Sequence, residues 1–123
     1  MKILIIEDDE QSACMLQQLL ELEHEIKVAH NGTQAIEIGL TFEPGLVISD
    51  WKLEGGMDGV EACRQILAQH ETTIVFLSGS PLLQLKVLSE ALSPLDFLSK
   101  PVNFKKLSSL IHDVERSSTE IKL

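Results

Sequence analysis

Basic residues are scarce in this chain. Ten lysines and arginines stand against nineteen aspartates and glutamates, and the net charge of −9 argues against a nucleic-acid-binding surface, which needs clustered Lys and Arg to compensate the polyanion. Cysteine is scarce too. Cys14 and Cys63 fall inside segments of helical period and form no close pair, so they suggest neither a disulfide framework nor a zinc site. Both read as small buried or half-buried residues of a reducing compartment. No apolar run approaches the roughly 20 residues that a membrane crossing needs. The four aliphatics after Met1 and Lys2 are too few for the apolar region of a signal peptide. Repeats and low-complexity segments are missing as well. These absences predict a cytoplasmic protein without direct nucleic-acid or membrane contact.

What is present suits one folded module. At 123 residues the chain accommodates a single domain with a hydrophobic core and is short for two. Hydrophobic residues at 44% and charged residues at 24% match soluble globular chains and not disordered ones. The expected division is a domain over residues 1–116 and a polar C-terminal tail over 117–123.

Five short apolar runs, at residues 3–6, 26–29, 46–48, 74–77 and 97–98, alternate with five segments of helical period. That alternation is the mark of an α/β domain with a parallel sheet. The first, third and fourth runs are continuously apolar, as strands covered on both faces are, and should be central. The second alternates and the fifth is short, which suits edges. The helices carry start signals and inward stripes: Leu16, Leu19 and Leu20 in the first; Ile36, Gly39 and Leu40 in the second, entered through Asn31-Gly32. The third opens on Asp58 with Glu61 three residues on, like a capping box, and turns Val60, Cys63, Ile66 and Leu67 inward. Ser80-Pro81 starts the fourth, and Asn103 caps a fifth that carries Leu107, Leu110, Ile111 and Val114.

In an open parallel sheet the ligand site lies beyond the carboxyl ends of the strands. Here the runs end in Glu7, Asp8, Asp9 and Glu10; in Ser49 and Asp50; in Ser78 and Gly79; and in Ser99, Lys100 and Pro101. Singly, each has an ordinary explanation: acids favour the positive end of a helix, Ser78 suits a turn, Lys100 a solvated surface. Together they place carboxylates, a hydroxyl and a lysine on one rim. Glu7, Asp8 and Asp50 held within about 4 Å would repel by about 4 kcal/mol per pair at an effective dielectric near 20. That repulsion asks for a cation. All-oxygen ligation suits Mg²⁺, or Mn²⁺, and the scarcity of imidazole and thiolate nearby disfavours zinc and copper.

The ordered set of motifs, ILIIEDD at 3–9, LVISDWKL at 46–53, VFLSG at 75–79 and DFLSKP at 96–101, resembles the receiver domain of bacterial response regulators in two-component systems. The resemblance covers residues 2 to about 116. It implies a flavodoxin-like, doubly wound five-stranded parallel sheet in the order 2-1-3-4-5 with five helices. It further implies that Asp50 accepts a phosphoryl group from a histidine kinase, a phosphotransfer domain or a small acyl phosphate. Glu7, Asp8, Asp50 and the backbone carbonyl of Lys52 would hold the metal. Ser78 and Lys100 would meet phosphoryl oxygens, and the Lys100–Pro101 peptide would be cis. Ser78 and Phe97 would form the conformational switch, although Phe97 also suits an ordinary core position. Lys52 and Ser80, each two residues beyond a site residue, would modulate the lifetime of the phosphorylated form.

The chain departs from the family pattern in places. Glu54 stands where many receivers have proline, and the 50–59 stretch is one residue longer than the commonest spacing, at Gly55-Gly56. Ser93-Pro94 replaces the usual Gly-Ala and should stiffen entry to the fifth strand. Three rivals remain open. A haloacid-dehalogenase-type aspartyl-phosphate hydrolase normally has a second aspartate two residues after the nucleophile, where Lys52 stands. A flavodoxin-like cofactor binder wants a glycine- and hydroxyl-rich first loop, where Glu7 to Glu10 would repel a phosphate. A receiver-like interaction domain without phosphorylation is the third. Finally, Leu82, Leu83, Leu85, Val87, Leu88, Ala91 and Leu92 cover more of the fourth helix than a stripe of about 100° can hold. Some must face solvent, which predicts a surface for a downstream partner or self-association formed by the fourth helix, fifth strand and fifth helix.

Overall fold

The computed structural model describes residues 1–121, with side chains described as far as residue 117. Among these residues five strands alternate with five helices: β1 (Lys2–Ile6), α1 (Glu10–Leu20), β2 (Glu25–Ala29), α2 (Gly32–Phe42), β3 (Leu46–Ser49), α3 (Gly59–Gln69), β4 (Thr73–Phe76), α4 (Pro81–Ser89), β5 (Asp96–Phe97) and α5 (Phe104–Ile121). The strands form one sheet in the order β2-β1-β3-β4-β5, and every neighbouring pair is parallel. This is the doubly wound, flavodoxin-like α/β fold that the motif order implied.

The alternation of side chains along each strand divides the core into two layers. Ile3 and Ile5 of β1, Leu46 and Ile48 of β3 and Val75 of β4 meet Leu16 and Leu20 of α1 and Leu107, Ile111 and Val114 of α5. Leu4 and Ile6, Val47, and Ile74 and Phe76 meet Val60, Cys63 and Ile66 of α3, Ala35 of α2, and Leu83 and Val87 of α4. Covered on both faces, the three central strands are the continuously apolar ones. β2, at one edge, alternates instead, with Glu25 and Lys27 exposed and Ile26 and Val28 half-buried.

The helix starts follow local chemistry. Asp9 accepts from the Ser12 N–H at 3.0 Å, Asn31 from Gln34 at 2.9 Å, Asp58 from Glu61 at 2.9 Å and Asn103 from Lys106 at 3.1 Å, so each satisfies an otherwise orphaned donor of the first turn. The capping box at α3 is formed on one side: Glu61 turns away from Asp58 and pairs with Arg64 at 2.7 Å and Gln65 at 2.9 Å, because those partners lie one turn further along its own helix.

Three expectations about side chains fail. Leu19 is exposed, since α1 buries the line Ala13, Leu16 and Leu20. Leu40 is exposed because α2 packs through Ala35, Gly39 and Phe42. Cys14 is exposed, whereas Cys63 is buried. Each exposed residue lies about 100° round its helix from a buried neighbour, a rotation that sequence spacing resolves poorly at the margin of a stripe. The polar stretch after Arg116 continues α5 as far as Ile121, and residues 122 and 123 of the expected tail lie outside the described residues.

Burial pushes the Cys63 thiol up to about 12, and the thiolate is the reactive form. At neutral pH a maleimide should therefore label native protein once, at Cys14, with Cys63 reacting only after denaturation. Mass spectrometry of the labelled protein tests this, and two labels gained at similar rates would contradict the burial.

Candidate functional site

Parallel strands bring their carboxyl ends to one rim, so residues far apart in sequence meet there. Glu7 and Asp8 follow β1, Asp50 follows β3, Ser78 lies two residues beyond β4, and Lys100 lies three beyond β5. Glu7 is fully buried. Its N–H donates to the Ala29 carbonyl at 3.0 Å, extending the β1–β2 pairing by one residue and holding the side chain under the rim.

Lys100 joins the acids. Its ammonium donates to Glu7 Oε1 and to Asp50 Oδ2, each at 2.8 Å. Asp50 Oδ1 accepts from the Trp51 N–H at 2.8 Å. Burial, with the Asp50 carboxylate close by, pushes Glu7 up to about 7 although Lys100 works the other way. Burial disfavours the Lys100 ammonium too, yet its hydrogen bonds to Asp50 and Glu7 prevail and hold its pKa above the ordinary lysine value.

One cation does not satisfy this cluster. Glu7 Oε2 is buried without a hydrogen-bond partner among the described residues. Carboxylate oxygens of Glu7, Asp8 and Asp50 all lie within 4.8 Å of one another, the one such group among the described residues. A buried acceptor left unpaired is costly, and an oxygen-only donor set is what a hard divalent cation takes. These residues fit such an ion.

The peptide after Asp50 is clamped from behind. The Ser49 hydroxyl donates to the Asp50 carbonyl at 2.7 Å, and the Gly59 N–H donates to the Trp51 carbonyl at 2.6 Å. A Cβ on Gly59 would lie 1.9 Å from the Asp50 carbonyl oxygen, so only glycine permits this approach. Gly55 and Gly56, at φ 93° and 89°, carry the intervening loop through the left-handed region open to glycine.

Other residues singled out in the sequence keep partners of their own. The Ser78 hydroxyl accepts from the Ser80 N–H at 3.3 Å. Ser80 caps α4, accepting from Leu82 at 3.2 Å. Half-buried Phe97 stacks on Phe76, with ring centroids 5.9 Å apart and planes inclined by 20°. The Lys52 ammonium lies 5.0 Å above the Trp51 ring. Lys100–Pro101 is cis. A further connection was not foreseen: Asp58, recognised as a cap, also accepts from the Trp51 indole at 3.3 Å and pairs with Lys86 of α4. The cap was legible from spacing, but nothing in the sequence points from Asp58 to a lysine 28 residues away.

Similarity to known proteins agrees with this geometry. Residues 3–112 match the response regulator receiver domain family. The transcriptional regulatory protein CpxR of Escherichia coli K12 is 32% identical over 120 residues, which cover 95% of this chain and 50% of that protein. The chain thus spans about half the length of the curated relatives it matches. Among solved structures, the signal receiver domain of an HD-domain-containing protein from Pseudomonas fluorescens Pf-5 is 29% identical with a TM-score of 0.83, covering 97% of both chains. A two-component response regulator from Clostridium difficile is 26% identical with a TM-score of 0.83, covering 94% of this chain and 95% of that one.

The close approach at Gly59 yields a stability prediction. Gly59→Ala should cost about 1–3 kcal/mol, the usual penalty for overpacking, because the backbone that must give way is the one held by Ser49. Urea unfolding measures it, and a variant as stable as the parent would show that the Asp50 peptide is not clamped.

Proposed function

Because the chain belongs to the response regulator receiver domain family, a family of signalling domains rather than enzymes in the ordinary sense, we propose that it is a phosphoacceptor switch that takes a phosphoryl group on Asp50. The observation that carries this reading is the Lys100 ammonium shared between Asp50 and buried Glu7, beside a Glu7 oxygen with no partner among the described residues.

The donor is the phosphohistidine of a kinase or phosphotransfer domain, or a small acyl phosphate. An Asp50 carboxylate oxygen attacks phosphorus. As the new O–P bond forms, the P–N bond of a phosphohistidine breaks with its electron pair on the imidazole nitrogen, which takes up a proton from solvent; with an acyl phosphate the P–O bond breaks instead and a carboxylate leaves. In such transfers charge spreads over the equatorial oxygens of a loose transition state, so positioned cations do most of the work. Lys100 is one. Glu7, Asp8, Asp50 and the Lys52 carbonyl would hold Mg²⁺ or Mn²⁺, which when bound neutralises charge on the phosphoryl oxygens. The Trp51 N–H orients the nucleophile through Asp50 Oδ1.

Ser78 turns its hydroxyl from the Ser80 N–H toward the new phosphoryl group, and Phe97 follows from its place against Phe76. Lys52 and Ser80 flank the approach of the hydrolytic water and modulate the lifetime of the product. Intact mass after incubation with acetyl phosphate and Mg²⁺ should show one phosphoryl group. It should be absent in Asp50→Asn and in Asp8→Ala, and the adduct should decay at a different rate in Lys52→Asn. A phosphorylated Asp50→Asn would move the acceptor elsewhere, phosphorylated Asp8→Ala would remove the metal assignment, and unchanged decay would remove Lys52 as a modulator.

The output leaves through α4. Leu82, Leu85 and Leu88 are 67%, 63% and 73% exposed, whereas Leu83 and Val87 are buried. An apolar row on the helix that Ser80 caps is suited to a downstream partner or a second copy, with β5 and α5 completing the surface. Sedimentation with and without beryllofluoride and Mg²⁺ should show self-association only in the loaded form, lost in Leu85→Glu. A monomer throughout removes self-association, and a loaded dimer indifferent to Leu85→Glu moves the surface off α4.

A further inference from the structure

The two N–H groups of Trp51 lead in opposite directions. Its backbone N–H reaches Asp50 Oδ1 at 2.8 Å, and its indole N–H reaches Asp58 Oδ2 at 3.3 Å. The same Asp58 oxygen accepts from the Lys86 ammonium of α4. The nucleophile is thus joined to α4 through its covalent neighbour and a shared carboxylate. This connection bypasses both Ser78 and Phe97.

An ion pair at a surface contributes little by itself, and the Lys86 and Asp58 side chains are 39% and 23% exposed. Here its setting gives it leverage. Asp58 caps the positive end of α3 and Lys86 stands in the last turn of α4, so each charge is favoured by the dipole of its own helix. Although burial opposes it, the hydrogen bonds that Asp58 accepts from the Lys86 ammonium and from the Glu61 N–H keep its carboxyl below the usual range, and the pair is charged at neutral pH. α4 packs inward through Leu83 and Val87, a modest apolar anchor. Its other tie to α3 among the described ion pairs is Arg64 to Glu90 at 3.8 Å. With so little apolar burial, polar ties decide where α4 rests.

Resting on the phosphoacceptor reading, we propose that Asp58 and Lys86 are positioning residues that act through Trp51, latching α4 to the Asp50 loop in the unphosphorylated form. Phosphorylation at Asp50 releases the latch, and releasing the latch favours the loaded site, because coupling between two sites is reciprocal. Lys86 thereby sets how strongly an unliganded molecule resists activation.

The chain has one tryptophan and no tyrosine, so intrinsic fluorescence reports on Trp51 alone. Beryllofluoride is titrated in the presence of Mg²⁺, followed by that fluorescence and by calorimetry, into the parent protein, Lys86→Met, Lys86→Arg and Asp58→Asn. Asparagine keeps the cap of α3 and removes the charge. Half-saturation should fall about threefold or more in Lys86→Met and Asp58→Asn, and return to the parent value in Lys86→Arg. Hydrogen exchange of the α4 amides, measured without ligand, should be faster in Lys86→Met and restored in Lys86→Arg. Parent-like half-saturation in Lys86→Met, or α4 exchange the same in all variants, overturns the latch. Failure of the parent protein to bind beryllofluoride overturns the phosphoacceptor reading instead, with the exchange data still reporting on the latch.

Discussion

Lys100 holds together groups that would otherwise repel. Its ammonium spans a fully buried glutamate and a half-buried aspartate, drawing the loop after β5 across to the ends of β1 and β3. Burying Glu7 is costly, and the lysine offsets part of that cost while leaving one Glu7 oxygen unpartnered among the described residues. The rim is therefore incomplete in a specific sense. It holds more negative charge than Lys100 compensates, within a small volume and with oxygen ligands alone. Such a set of oxygens suits a hard divalent cation, and this supports the proposal of a phosphoryl-accepting site beside it.

The sheet makes that concentration of charge possible. β1, β3 and β4 are apolar on both faces and covered on both, which makes them a rigid base for the loops that follow. The peptide after Asp50 is then pinned by Ser49 and by the approach of Gly59. Asp50, the proposed acceptor, thus stands on one of the best-packed parts of the molecule. By contrast, α4 buries Leu83 and Val87 and turns Leu82, Leu85 and Leu88 to solvent. Rigidity under the proposed acceptor, beside a helix that buries little apolar surface, would suit the proposed switch, since elements that move are drawn from the less stable end.

The element order, the central and edge strands, the caps Asp58 and Asn103 and the Ser80-Pro81 start could be read from sequence because each is governed by local rules: period, propensity and the side chain that satisfies an orphaned N–H. So could the gathering of Glu7, Asp8, Asp50 and Lys100 at one rim, because a parallel sheet sends every strand's carboxyl end the same way. The errors were of another kind. Leu19, Leu40 and Cys14 sit at the margin of helical stripes, where exposure depends on how the helix is rotated on the sheet. Glu61 completes no capping box because Arg64 and Gln65, one turn further along its helix, take its carboxylate.

By itself, then, the sequence determined the α/β architecture and which residues stand at the ends of strands, since those depend on neighbours a few positions away. Tertiary structure decided which oxygen Lys100 meets across 93 and 50 residues of chain and that Asp58 serves a tryptophan and Lys86 as well as its helix. It also decided which leucines of α4 face water. Those outcomes follow from how rigid elements are placed against one another. Pair distances of a few ångströms arise there from the packing of the whole core, which no local pattern encodes.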